Sequence, residues 1–282
     1  MIVDFIQWNV KPEIFHIGGL SVRWYGLLFA MGFYVGYLIM EKFFKKEEIP
    51  LPILDKLAMY MIISTVIGAR LGHCLFYESG YYLQNPIEIL YIWHGGLASH
   101  GAAIGILFAL FLFARKTKIS YWWVLDRIVI VTALAGLFIR SGNLMNSEIY
   151  GHATDLPWGF IFVREDKMLL PRHPTQIYEA LCYLLIAASL LWIYIKKQGK
   201  PLPGMIFGLF LIALFTVRFI IEFLKETQAD FEKAMPLNMG QLLSIPFIIA
   251  GIVIFVLSIK NKLGKPFSKE DLVITNDTTK KG

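Results

Sequence analysis

Charge is scarce in this chain. Of its 282 residues only 17% are Asp, Glu, Lys or Arg, where a soluble domain of this size carries about a quarter. Hydrophobic residues make up 56% and the mean hydropathy is +0.58, so the excess apolar side chains must face lipid. Cysteine is scarcer still. Cys74 and Cys182 both sit inside apolar stretches, with no C-x-x-C and no histidine-cysteine cluster, which excludes a disulfide framework and a zinc site. The opening residues M-I-V-D-F-I-Q-W-N-V-K-P-E lack a basic n-region and a small-residue cleavage site, so the first apolar run is expected to remain as a span. No G-x-S-x-G occurs, which removes support for an intramembrane serine hydrolase. The net charge of +6 falls in short clusters between apolar runs. Such clusters read as topology signals and contacts to anionic membrane lipids, not as a nucleic-acid surface.

What is present is a series of long apolar runs. A bilayer core about 30 Å thick needs roughly 20 apolar helical residues, and seven runs meet that length: residues 23–44, 54–76, 97–114, 122–140, 176–195, 205–224 and 241–259. The fold class expected is all-α, a polytopic membrane protein of about seven transmembrane helices. Lysine and arginine set the orientation. Sixteen fall on one side (Lys42, Lys45, Lys46, Lys56; Arg115, Lys116, Lys118; Lys196, Lys197, Lys200; and tail lysines 260, 262, 265, 269, 280 and 281). Six fall on the other: Lys11, Arg164, Lys167, Arg172, Lys225 and Lys233. This places the amino terminus outside and the carboxyl terminus in the cytoplasm. Residues 1–260 read as one integral membrane domain, and 261–282 as a polar cytoplasmic tail expected to fray. Between spans two and three, residues 77–94 carry Pro86 and several aromatics but no lysine or arginine, which suits a short interfacial segment. The longest outer loop, at about residues 146–175, contains D-L-P-W-G-F-I-F-V, a turn followed by a strand-like stretch, and a loop of that length suits a lid or a substrate platform.

Polar residues stand out against this background. Residues 139–151, I-R-S-G-N-L-M-N-S-E-I-Y-G, set an arginine, two asparagines and a glutamate at the end of an apolar run. Ionisable groups at membrane depth are costly unless they face protein or a wet cavity, so the stretch is a site by default. With the orientation above, the unusual charges gather in the outer half. Arginine suits phosphate because its planar fork donates two parallel hydrogen bonds and keeps its charge; Arg140 and Arg218 together could grip one phosphodiester, or each could be an interfacial or structural arginine. Glu222, one turn after Arg218, is placed to orient that guanidinium through an ion pair, and Glu148 to do the same for Arg140. His100 lies in W-H-G-G-L-A-S-H-G at the outer start of span three, and imidazole moves protons near neutral pH; a structural role is the alternative. His94 has the weaker case, and Ser99 forms no dyad with His100 because adjacent helical residues point apart. Arg70, flanked by glycines in I-G-A-R-L-G-H-C, is either a third phosphate contact or half of a structural pair. Asp126 and Arg127 are expected at the cytoplasmic interface.

These residues resemble the prolipoprotein diacylglyceryl transferase family of bacterial inner-membrane enzymes. The family signature G-R-x-G-N-F-x-N-x-E-x-x-G is matched by Arg140, Gly142, Asn143, Asn146, Glu148 and Gly151 in register, with Ile139 in place of the first glycine and Leu144 in place of phenylalanine. Neither change touches polar chemistry. Further similar blocks follow in order: R-W-Y-G at 23–26, H-G-G-L-A-S-H-G at 94–101, H-P-T-Q-I-Y-E at 173–179, R-F-I-I-E-F at 218–223 and G-Q-L-L-S-I-P at 240–246. The resemblance implies a transferase that moves the diacylglyceryl group of phosphatidylglycerol to the lipobox cysteine of a prolipoprotein that still carries its signal peptide, releasing glycerol phosphate. It implies His100 as base for the thiol, Arg140 and Arg218 as phosphate holders, and Tyr25, Asn143, Glu148, Gly151 and Glu222 as residues that shape the site. No metal or organic cofactor is implied. The competing reading is a non-catalytic lipid or anion transporter with an arginine-lined intramembrane site; against it, the chain shows no evident internal repeat.

Overall fold

The computed structural model describes residues 5–18, 20–92, 95–226, 235–267 and 271. His94, Lys233 and most of the polar tail lie outside the described residues. In chain order the elements are β1 (Ile6–Trp8), β2 (Glu13–Ile17), β3 (Leu20–Arg23), α1 (Trp24–Lys46), α2 (Leu51–Phe76), α3 (Ser79–Gln84), α4 (Ser99–Thr117), α5 (Tyr121–Met145), β4 (Phe160–Phe162), β5 (Pro171–Arg172), α6 (Thr175–Lys196), α7 (Met205–Ile221) and α8 (Met239–Ile259). Short 3-10 turns occupy Pro86–Leu90 and Glu222–Leu224. Helix makes up 67% of the chain. Among the described residues seven helices are long and apolar enough to cross a membrane, the sixth running Met205–Leu224. This is the all-α polytopic architecture expected, with every span in its expected place.

The helix ends follow from local chemistry. Pro52 falls in the first turn of α2, where a missing N–H leaves nothing unpaired. Asn238 and Gln241 close a reciprocal capping box at the start of α8. The start of α7 is capped from a distance: the Asp126 carboxylate of α5 accepts from the backbone N–H of Gly204 and of Phe207, each at 2.8 Å. Arg127 donates to the Gly199 carbonyl at 2.7 Å and lies over the Tyr194 ring. Both charges are therefore buried fasteners of the 199–204 loop, with partners that the sequence did not indicate.

By contacts the chain forms two compact units, one of Met1–Ile39 with Asp126–Lys265 and one of Met40–Leu125 with Pro266–Gly282. In the second, α2 and α4 touch along glycines: a Cβ on Gly72 would lie 2.6 Å from the Gly101 Cα, and one on Gly105 2.8 Å from the Ser64 carbonyl oxygen. Such backbone contact is how helices associate where lipid offers no hydrophobic drive. Arg70 is spent here. Its guanidinium donates to the carbonyls of Glu88, Ile89, Gly95 and Gly96 and lies 5.0 Å from the Tyr82 ring. It ties Glu88, Ile89, Gly95 and Gly96 to α2, a structural role with backbone carbonyls in place of the ion-pair partner expected.

In the first unit, α7 and α8 meet at Gly208 and Gly251, where a Cβ on either would sit 2.9 Å from backbone atoms of the other helix. Gly136 of α5 makes room for the Tyr183 ring of α6. The long loop supplies the strand-like stretch expected as β4, but the sequence reading missed its partners: β1 pairs with it in parallel, Ile6 opposite Phe160, and β5 antiparallel. The Trp8 indole N–H donates to the Leu144 carbonyl at 2.9 Å, seating this small sheet on the end of α5. Asp166 and Arg172 pin the loop internally, the guanidinium reaching both carboxylate oxygens at 2.6 and 3.1 Å. Those bonds hold the Asp166 carboxyl below the usual carboxylate range.

Candidate functional site

The last turns of α5 project Arg140 and Asn143 from one face, since they are three residues apart. Beyond Met145 the chain reverses through Ser147 and Ile149, both in the left-handed region at φ +56° and +60°. The reversal brings the Glu148 amide to the Asn143 carbonyl at 3.0 Å. A polar chain results. Arg140 Nη1 donates to Asn143 Oδ1 at 3.1 Å, and Asn143 Nδ2 donates to Glu148 Oε1 at 2.7 Å. Asn146 Nδ2 reaches the same oxygen at 3.3 Å. The loop is held from α6, where Gln176 donates to the Glu148 carbonyl and Thr175 to that of Ile149, at 2.7 and 2.8 Å.

The glycines of the stretch have steric tasks. A Cβ on Gly142 would lie 2.7 Å from the Tyr25 ring, so glycine there lets Tyr25, in the first turn of α1, lie against α5. Tyr25 is within electrostatic reach of Glu148 and Arg140. Gly151 bridges to Lys225, and a side chain there would strike His173 and Thr175.

Arg140 is 12% exposed, and its Nε pairs with Glu179 of α6 at 2.8 Å. Glu179, with no exposed surface, also receives Lys225 Nζ at 3.1 Å and the Tyr183 hydroxyl at 3.3 Å. Lys225, 2% exposed, donates its second bond to Glu222 Oε2 at 3.1 Å. Glu222 in turn packs against Gly240: a Cβ there would lie 2.5 Å from the carboxylate carbon, so the carboxylate would have to shift. Two expectations are corrected by this geometry. The partner of Arg140 is Glu179, with Glu148 acting only through Asn143; and Glu222 pairs with Lys225, not Arg218. Arg218 is half-buried and, among the described residues, makes no hydrogen bond or ion pair. Tyr183 interacts electrostatically with both Arg140 and Arg218, so the two guanidinium groups share a neighbourhood.

His100 belongs to the second unit, as the second residue of α4, and is exposed. The structure thus gathers Tyr25, Arg140, Asn143, Glu148, Gly151, Arg218 and Glu222 in one unit, with His100 in the other. Glu179 and Lys225 escaped the sequence reading. Glu179 had a readable signal, being the one carboxylate within an otherwise apolar span. Lys225 had only its spacing of three from Glu222.

A sequence model of the prolipoprotein diacylglyceryl transferase family matches residues 12–257. Over 256 residues the chain is 50% identical to the phosphatidylglycerol–prolipoprotein diacylglyceryl transferase of Tolumonas auensis, covering 90% of this chain and 98% of that one. It is 47% identical over 258 residues to the protein of that name from Chloroherpeton thalassium, covering 91% and 96%. The match to that of Porphyromonas gingivalis is 45% over 278 residues, covering 94% and 98%.

Proposed function

The chain belongs to the prolipoprotein diacylglyceryl transferase family, and on that footing we propose that Arg140 and Arg218 hold the phosphate of phosphatidylglycerol during transfer to a lipobox cysteine. The protein is a transferase, an enzyme of lipoprotein maturation that moves the diacylglyceryl group from phosphatidylglycerol to prolipoproteins. In the step proposed, His100 takes the thiol proton and the thiolate sulfur attacks the diacylglyceryl carbon bonded to the phosphate oxygen. A C–S bond forms and the C–O bond breaks. Its electron pair leaves on glycerol phosphate, and the arginines stabilise that growing negative charge. Tyr25, Asn143, Glu148, Gly151 and Glu222 shape the phosphatidylglycerol site. The nucleophile comes with the substrate, so neither Cys74 nor Cys182 needs to react.

One observation carries this assignment: Arg140, fixed by Glu179 and Asn143, shares Tyr183 with an Arg218 that has no hydrogen bond or ion pair among the described residues. An arginine left without such a partner in a membrane-spanning helix fits an anionic ligand. The purified protein, given phosphatidylglycerol and a lipobox peptide, is expected to release glycerol phosphate and yield a thioether-linked peptide. Binding without release is the outcome that returns the site to a transporter.

The membrane setting proposed is the bacterial inner membrane, with residues 1–260 as one integral domain, the amino terminus outside, 261–282 cytoplasmic and the site toward the outer half. The signal peptide of the precursor lies alongside in the same bilayer. In a background with both native cysteines replaced, Asp155→Cys is expected to react with an impermeant thiol reagent added to intact cells. Lys262→Cys should react only after lysis. The opposite labelling pattern rejects the orientation.

A further inference from the structure

We propose that Lys225 is a positioning residue which, by neutralising Glu179 and Glu222, keeps the charge of Arg140 and Arg218 available to the lipid phosphate. This inference rests on the phosphate role of the two arginines given above. The observations behind it concern a buried ladder: Arg140 Nε to Glu179 Oε2 at 2.8 Å, Lys225 Nζ to Glu179 Oε1 at 3.1 Å and Lys225 Nζ to Glu222 Oε2 at 3.1 Å. Glu179 has no exposed surface and Lys225 has 2%. Water screens such groups far less than it screens exposed ones, so each charge is felt strongly by its neighbours.

Among the charged side chains of this cluster, Arg140, Arg218 and Lys225 balance Glu148, Glu179 and Glu222. The arriving phosphodiester adds one negative charge. Remove Lys225 and the cluster is already negative before the lipid arrives. The whole charge of Glu179 then falls on Arg140, which becomes one half of a closed ion pair and repays little to a phosphate. With Lys225 in place Glu179 is shared, and Arg140 is oriented by it without being cancelled.

A purely structural role is the competing account, and the backbone speaks to it. Residue 225 is held independently of its side chain: it bridges to Gly151, its N–H donates to the Glu222 carbonyl at 3.3 Å, and the neighbouring Leu224 carbonyl accepts from His152 at 2.8 Å. The segment stays in place by main-chain bonds, which leaves the ammonium group its electrostatic task.

The test uses the full-length enzyme in mixed micelles, with saturating lipobox peptide and phosphatidylglycerol varied, reading both glycerol phosphate release and the lipid-dependent shift in thermal unfolding. Lys225→Met is expected to raise KM for phosphatidylglycerol by about tenfold or more, the effect of about 1.4 kcal/mol, with a smaller change in kcat and a diminished lipid-dependent shift. Lys225→Gln, which keeps a donor without the charge, should behave alike and serves if the methionine variant does not fold. Lys225→Arg should stay near the wild-type KM. The decisive variant is the pair Lys225→Met with Glu179→Gln, which removes one charge of each sign and is expected to bring KM back toward wild type. A KM unchanged in both neutral variants, or a double variant no better than Lys225→Met alone, overturns the proposal. If the wild type binds phosphatidylglycerol but releases no glycerol phosphate, the transfer chemistry fails while the thermal shift still reads the role of Lys225.

Discussion

Arg140→Ala and Arg218→Ala are each expected to lower turnover by orders of magnitude. Removing one preorganised donor from a developing anion costs roughly 10²- to 10³-fold, each tenfold being about 1.4 kcal/mol of barrier, and a guanidinium supplies charge as well as donors. The two variants should nonetheless differ in a way that the hydrogen-bond pattern dictates. Arg140 is the partner of Glu179, whose carboxylate has no exposed surface. Its loss leaves that charge to Lys225 and Tyr183, and breaking a buried pair costs about 3–5 kcal/mol of stability. Arg218 makes no hydrogen bond or ion pair among the described residues, so Arg218→Ala should lose activity with little change in thermal unfolding. Lysine at 140 is expected to restore only part of the turnover, because a compact ammonium lacks the planar fork whose separate edges reach Glu179 and Asn143. Near wild-type release of glycerol phosphate in both alanine variants, at equal membrane abundance, would remove the phosphate clamp.

His100→Asn is the second large effect expected. If the imidazole takes the thiol proton, an amide of similar size keeps some hydrogen bonding but cannot accept that proton, and general-base help is worth roughly 10²- to 10⁴-fold. The fold sharpens the experiment. His100 is exposed in the first turn of α4, so its replacement sacrifices little packing, and a large loss reports chemistry. A loss of only a few-fold would be too small for a general base and would move thiol activation to Tyr25, Glu148 or the leaving group itself.

The parts of this protein legible in its sequence are those governed by local rules. A span needs only length and apolarity, because a lipid-exposed backbone must satisfy its own hydrogen bonds and the helix does so alone; hence all seven spans stood in the sequence. The 139–151 stretch was legible because four polar groups at membrane depth demand a reason. The turn that lets Asn143 and Asn146 grip Glu148 closes within six residues, yet the sequence pointed Glu148 to Arg140 instead. Partner choice was not legible. Spacing along one helix pointed Arg218 to Glu222, whereas the fold gives Glu222 to Lys225 and sets Glu179, 46 residues from Lys225, between that lysine and Arg140. Arg70 and Asp126 teach the same lesson, since the carbonyls and amides they bind belong to segments far along the chain. A buried charge must find opposite charge or backbone dipoles wherever packing brings them. The sequence by itself determined which residues could not stand alone in a membrane; only the tertiary structure, by bringing α5, α6 and the end of α7 together, decided which of them would neutralise one another and which arginine would be left without an ion-pair partner among the described residues.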